Sequence, residues 1–290
     1  PGARAVALDH GRCAYLEPGG GCGIHRQAGA AHKPLGCRTY PARFVSDGAT
    51  VRVTPWLECA CVFASGTRED GPPHGAATLT EATTSAGLAR EIFVEQLPGR
   101  VLLSPGREVA REHVANESKR WAAEVQTDGV RSLLALRSTL RGEPPRAPQP
   151  HDVLAQLEAL RGPLAHLASE PFRSGRDLVR ITAAALREAL ELATAEPEAL
   201  LSGPGAFAAD ERFYVTTALF GHHLVPRKPD RTLSHALWDR AGRLVLGRAL
   251  GVVANLAELG DPAFAHPLAL VDATLRGYGL GRRLANLAEP

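Results

Sequence analysis

The sequence predicts an α+β protein, a small cysteine-rich hairpin module over residues 1–75 followed by a mostly α-helical domain over residues 76–290. Three observations carry this expectation. All five cysteines, Cys13, Cys22, Cys37, Cys59 and Cys61, fall in the first 61 of 290 residues. The same stretch is broken by glycine and proline turns, whereas from about Thr78 apolar residues recur at helical spacing. At 44% hydrophobic and 22% charged, the chain is long and apolar enough to bury a core rather than remain disordered.

Two hairpins are expected in the module. Cys13-Ala14-Tyr15-Leu16, the turn Glu17-Pro18-Gly19-Gly20-Gly21 and then Cys22-Gly23-Ile24-His25 read as two short arms around a glycine turn, bringing Cys13 beside Cys22. The second pairs Arg43–Ser46 with Ala49–Val53 across Asp47-Gly48, with apolar and polar residues alternating. It returns Cys59 and Cys61 toward Cys37. The run Gly19-Gly20-Gly21-Cys22-Gly23 lacks the strand–turn–helix setting of a dinucleotide fingerprint.

In the second part, three stripes predict amphipathic helices: Ala110, Val114, Trp121 and Val125; Val179, Leu186, Leu190 and Ala193; and Trp238, Ala241, Val245, Ala249, Val252 and Leu256. Asp239, Arg240, Arg243 and Arg248 lie off the third stripe. The proline-rich segment 142–150 is one no helix can cross, and it is expected to divide the helical part in two.

Charge excludes little and favours little. The formal net charge is +2, so nucleic acid is not indicated as a partner. No apolar run approaches the roughly 18 residues of a membrane span, and the first residues lack the pattern of a secretory signal, so a cytoplasmic protein is expected. Arg outnumbers Lys by 30 to 3, a bias of GC-rich bacterial coding. The chain begins at Pro1 and contains no methionine, which predicts further residues upstream.

Chance placement would put five cysteines in this stretch on the order of once in 2,000 sequences, so the clustering has a cause. Disulfides, a metal or iron–sulfur site, and a catalytic thiol compete, beside the plainer reading of buried apolar thiols. A lone catalytic thiol does not explain five cysteines. Disulfides suit small secreted chains, whereas this one shows no export signal and an odd cysteine count. Thiolates bind zinc and iron, and five cysteines with His25 exceed the four ligands of a tetrahedral zinc.

In order along the chain come Cys13-x-x-Leu16, Gly21-Cys22-x-Ile24-His25, Gly29, Lys33-Pro34-Leu35-x-Cys37-Arg38-x-Tyr40-Pro41, a hairpin and Cys59. This run, roughly residues 10–62, resembles the bacterial cysteine-cluster family of the YkgJ type. That family is described as a zinc- or iron-chelating domain and includes the flagellin lysine-N-methylases. The resemblance implies Cys13, Cys22, Cys37 and Cys59 as thiolate ligands, with Cys61 as a fifth or a spare. Arg38 would offset the charge of the thiolate cluster, and His25 would supply a nitrogen ligand or a donor to sulfur. The metal implied is zinc, iron or an iron–sulfur cluster, with the cysteine count leaning toward iron–sulfur. Family members usually open with a C-x-x-C-x-x-C-C segment, which this sequence lacks before Cys13.

Metal chelation, as a structural or redox-active centre, is the leading functional expectation. The resemblance alone implies an alternative, a protein lysine N-methyltransferase using S-adenosylmethionine on a protein substrate such as flagellin. A third reading is a helical interaction protein with a structural cysteine module. Elsewhere His113/Glu117 and His235/Asp239 lie four apart on expected helices, and His222-His223 interrupts an apolar run. Each has an ordinary structural explanation. No P-loop, nucleophile elbow or H-E-x-x-H motif occurs.

Overall fold

Asp47 organises the central hairpin. Its Oδ1 accepts the amides of Ala49 (2.9 Å) and Thr50 (2.8 Å), and its Oδ2 accepts the Thr50 hydroxyl (3.1 Å). Gly48 takes φ 99° beside it, a conformation open to glycine. Because those amides bond to the side chain, they cannot join a ladder. The loop is therefore four residues, not the two expected, and the second arm starts at Val51 rather than Ala49. The arms are β3 (Ala42–Ser46) and β4 (Val51–Pro55), antiparallel with Ser46 opposite Val51.

The computed structural model describes residues 8–9, 12–13, 23–29, 32–33, 42–59, 62–63, 80–82, 92–144, 146–169, 177–203, 205–226, 231–254 and 266–277. Before the central hairpin, β1 (Leu8–Asp9) pairs antiparallel with β2 (Arg12–Cys13), and Gly23–Ala28 forms the short helix α1. The expected arm Cys22–His25 is thus helical from Gly23, and the strand of Cys13 pairs with Leu8–Asp9 instead. Arg26, Gln27 and Ala28 favour helix and continue it without any period-two alternation. Residues 14–22, including Cys22 and the glycine turn, lie outside the described residues.

Around the central hairpin β5 (Thr80–Ala82) joins the outer edge of β4, and β6 (Glu95–Gln96) runs parallel beside β3, giving the order β5-β4-β3-β6. A separate hairpin, β7 (Arg100–Ser104) and β8 (Arg107–Ala110), turns at Pro105-Gly106. Helix was expected from about Thr78, yet the first long helix starts at Arg111. Val101 and Leu103, both buried, alternate at strand spacing ahead of a Pro-Gly turn, so this hairpin carries the period-two signal.

Among the described residues eight α-helices follow: α2 (Arg111–Ala123), α3 (Gly129–Arg141), α4 (His151–Ser169), α5 (Asp177–Ala195), α6 (Pro197–Leu201), α7 (Ala208–Phe220), α8 (Leu233–Val253) and α9 (Pro267–Gly277). Strands and helices together make the α+β class expected. No described helix is long and apolar enough to cross a membrane. Val114, Trp121 and Val125 are buried as the first stripe predicts, but Ala110 is exposed at the end of β8. Leu186, Leu190 and Ala193 are buried on α5, where the side chain of Val179 lies outside the described set.

The third stripe holds for Trp238, Ala241, Val245 and Ala249, all fully buried, while Val252 is 68% exposed and Leu256 lies outside the described residues. One stripe understates α8. It packs against α3, α4, α5 and α9 and buries Leu237, Leu244, Leu246, Arg248 and Leu250 as well. Gly242 permits the close approach of α4, since a Cβ there would overlap Gln156 Oε1. Gln156 Nε2 in turn donates to the Trp238 carbonyl (2.7 Å).

Segment 142–150 does not separate the helices into two groups. Helices α3 and α4, on its two sides, both pack on α8, and one apolar core runs from Val45 to Leu275 across residues 75/76 and across this segment. Within it, Arg146 holds Asp152 at the start of α4 through both carboxylate oxygens (2.5 and 2.9 Å). The prolines stop the backbone from helix formation without preventing the flanking helices from meeting elsewhere.

Two buried arginines fasten the layers. Arg52 on β4 donates to Ser118 Oγ (2.7 Å), to the Ala115 carbonyl of α2 (2.5 Å) and to the carbonyl of Phe220 at the negative end of α7 (2.8 Å). Arg248 on α8 meets Glu211 Oε1 through Nε (2.6 Å), and its Nη2 reaches Glu211 Oε2 and Asp128 Oδ1 (both 2.8 Å). Glu211 Oε2 also accepts the Gly129 amide (3.0 Å), so one carboxylate joins the positive start of α3 to α8 and α7. Removing one member leaves a charge buried alone. Glu211→Ala is expected to lower stability in urea denaturation by about 3–5 kcal/mol, with a large part recovered by Glu211→Leu combined with Arg248→Met. Unchanged stability in the single variant would remove this cluster from the account of the fold.

Candidate functional site

Cys59 follows β4 in a tight turn: its amide donates to the Trp56 carbonyl (3.2 Å) and its carbonyl accepts the Val62 amide (3.1 Å). Leu57, Val62 and Phe63 on either side are buried. Phe63 stacks face to face on His266 (3.9 Å between centroids, 4° between planes) and meets Phe213 edge-on. The turn is thereby clamped to α7 and to the start of α9. Cys59 packs against the same core, and its sulfur is disulfide-bonded.

The bonded partner lies outside the described side chains, which means it is one of the other four cysteines. Cys13 is placed by its backbone in β2 alone; Cys22, Cys37, Cys61 and Arg38 lie outside the described residues. His25 is exposed on α1. Among the described residues no group of three or more His, Cys, Asp or Glu is placed to hold a metal ion. A sulfur bonded to sulfur is not a thiolate, so ligation by Cys59 requires reduction of that bond.

The histidine pairs behave as structural groups. His113 is exposed, and Glu117 is bound by Arg120. His235 sits edge-on to Trp238 (5.3 Å), while Asp239 pairs with Arg243 (2.7 Å) instead of with His235. His222 is buried just past α7 with φ 55°, and His223 Nε2 meets Thr54 Oγ1 (2.8 Å), joining that corner to β4.

Beside the Cys59 turn opens a cleft of about 890 Å³ between the central hairpin, the segment before α8, and helices α8 and α9. Trp56 lines it, and two guanidiniums lie over its ring, Arg276 at 4.2 Å and Arg43 at 5.1 Å from the centroid. Arg276 also pairs with Glu58 (2.5 Å), and Arg43 with Glu95 (2.6 Å). Burial pushes the Glu58 carboxyl up, against the pull of Arg276. Arg240 and Arg243 form the inner wall.

Asp272 of α9 braces that wall from behind, with Oδ2 on Arg240 (2.5 Å) and Oδ1 on Arg243 (3.0 Å). The buried Tyr214 hydroxyl donates to Asp272 Oδ2 (2.7 Å) and also accepts from Arg240. Burial pushes the Tyr214 phenol well above its ordinary value, keeping it a donor. Burial also opposes ionisation of Asp272, but the two guanidiniums and the phenol outweigh it and hold the carboxyl below its ordinary value.

The sequence places Asp239, Arg240 and Arg243 off the apolar stripe of α8 and does not show that they line a cleft. One sequence signal was present: Asp272 is the lone acid in the apolar run Pro267–Leu275, and a lone charge there needs a buried partner. Trp56, Arg43 and Arg276 come together only through the tertiary fold.

A lowered carboxyl pKa stabilises the fold above the ordinary value and ceases to do so as pH falls through the folded value. The unfolded chain takes up its proton first, near 3.8, so the Asp272 contribution is complete above that value and shrinks below it. Urea unfolding from about pH 6 to about pH 2 should therefore show a smaller acid-side loss in Asp272→Asn than in the unaltered chain. Identical pH dependence in the two would remove Asp272 as an ionised brace.

Comparison with protein-family models, with curated proteins and with solved structures finds no match to this chain.

Proposed function

We propose that this chain is a metal-chelating cysteine-cluster protein, binding zinc, iron or an iron–sulfur cluster through Cys59 together with Cys13, Cys22, Cys37 and Cys61. The observation that supports this reading is the bonded sulfur of Cys59, because it puts a second cysteine sulfur at the Cys59 turn. Two electrons and two protons from a dithiol reductant convert the bonded pair to two thiols, and a metal ion displaces the protons as it binds. Leu57, Val62 and Phe63 hold the turn against the core, so this ligand is placed before metal arrives. His25 and Arg38 serve the cluster as a nitrogen donor and a compensating charge. A reducing compartment, the cytoplasm, suits this chemistry.

The disulfide itself favours a second reading, in which the oxidised cysteines staple the fold of a helical interaction protein. Methyl transfer from S-adenosylmethionine to a protein lysine, as on flagellin, rests on the sequence resemblance alone.

Elemental analysis of protein purified without oxygen in the presence of a dithiol separates the first two readings. Stoichiometric metal is expected, brown with charge-transfer absorption for iron–sulfur and colourless for zinc. Cys22→Ser, Cys37→Ser and Cys59→Ser should each strip it and destabilise the N-terminal part. A metal-free reduced chain, with Cys59→Ser lowering the stability of the oxidised protein by about 2–5 kcal/mol, would establish the staple instead.

A further inference from the structure

We infer that the cleft beside the Cys59 turn is a binding site for a small organic anion carrying a carboxylate or phosphate group. Its volume, about 890 Å³, lies within the range of pockets that enclose metabolite-sized ligands. Five guanidiniums line it, those of Arg43, Arg231, Arg240, Arg243 and Arg276. Among the described residues they face three carboxylates, Glu58, Glu95 and Asp239, and Asp272 behind the wall makes a fourth, shared by Arg240 and Arg243. Guanidinium stays ionised at any ordinary pH, and its planar fork matches the oxygens of carboxylate and phosphate.

The inner wall is held in place and still has hydrogen-bonding capacity to use. Asp272 and Tyr214 fix Arg240 from behind, and Asp272 and Asp239 fix Arg243, so their charges are positioned without a ligand. Arg240 directs Nη1 to both of its partners, and its Nη2 makes no hydrogen bond among the described residues. Two more guanidinium donors on α8, Arg240 Nε and Arg243 Nε, and His235 Nε2 are buried without a hydrogen-bond partner, and so is the acceptor Asp239 Oδ1, which a ligand hydroxyl or water would complete rather than an anionic oxygen. Folded proteins leave few such atoms, and a group of them in one wall of a cleft marks a place that ordered water or ligand completes. At the mouth Arg276 is 55% exposed and has Glu58 as its carboxylate partner, so it can turn to an incoming anion.

A polyanion fits less well. The chain carries a formal charge of only +2, and the arginines converge in one cleft rather than along a surface stripe. A small molecule is the occupant that this geometry admits.

No cysteine is among the described residues lining the cleft, and anion binding is measured both with and without a dithiol so that its outcome is read separately from that of the metal proposal. The probes are citrate, glucose 6-phosphate and inorganic phosphate, with glucose as the neutral control and sodium chloride matching ionic strength. Calorimetric titration should give saturable binding of citrate or glucose 6-phosphate and none of glucose. Stronger binding of citrate indicates a carboxylate ligand, and stronger binding of the phosphates a phosphate one.

Arg231→Gln and Arg276→Gln should each weaken binding by about ten- to hundredfold, as expected for loss of one charge-assisted hydrogen bond. Arg120→Gln, outside the cleft, should leave it unchanged. Thermal unfolding confirms that each variant is folded. Absence of saturable binding for all three anions, or equal affinity in the Arg231, Arg276 and Arg120 variants, would overturn the assignment.

Discussion

Helix α8 has almost no solvent face, yet it carries Arg240, Arg243 and Arg248. A guanidinium cannot shed its charge as a buried lysine can, so each requires carboxylates brought from elsewhere in the chain. Glu211 and Asp128 supply them for Arg248, from α7 and from the residue capping α3. Asp272 of α9 supplies one shared by Arg240 and Arg243, with Asp239 one turn away on α8 itself. Apolar packing would tolerate several arrangements of helices around α8, but these pairings are directional. They select the one in which α3, α7 and α9 present their acids to it.

The same charges connect the two halves of the chain. Asp272, the acid shared by the two arginines of the inner wall, lies on α9, and that helix carries in its last turn Arg276, which lies over Trp56 and pairs with Glu58. Cys59 is the next residue. The cysteine turn and the arginine cleft thus share a short stretch of backbone, which Leu57, Val62 and Phe63 press onto the helical core. A change in the state of the Cys59 sulfur would act on a segment that also forms the cleft wall, bringing the two proposed chemistries within one continuous structure.

Part of this was legible in residue order. The Arg43–Ser46 arm and the Asp47-Gly48 turn combine alternation with a strong turn signal, both local properties, and they form the central hairpin. The buried line Trp238, Ala241, Val245 and Ala249 is likewise a periodic signal that packing preserved. The glycine-rich hairpin failed because Gly23–Ala28 carries no alternation to make it a strand. The β7–β8 hairpin was overlooked because its arms are short and lie just before a long helix, although Pro105-Gly106 announces the turn. The proline-rich segment correctly stops helix formation, but a break in the backbone says nothing about whether its flanking helices pack together.

Sequence alone determined what depends on neighbours along the chain: the α+β class, the central turn, helical stripes on α5 and α8, and the concentration of cysteines near the start. Tertiary structure decided the burial of Arg240, Arg243 and Arg248, the meeting of Asp272 with Tyr214, and the assembly of Arg43, Trp56 and Arg276 around one cleft. The physical reason is that periodicity records which face of an element is apolar. A buried charge is made tolerable only by a partner distant in sequence, and no local pattern encodes that pairing.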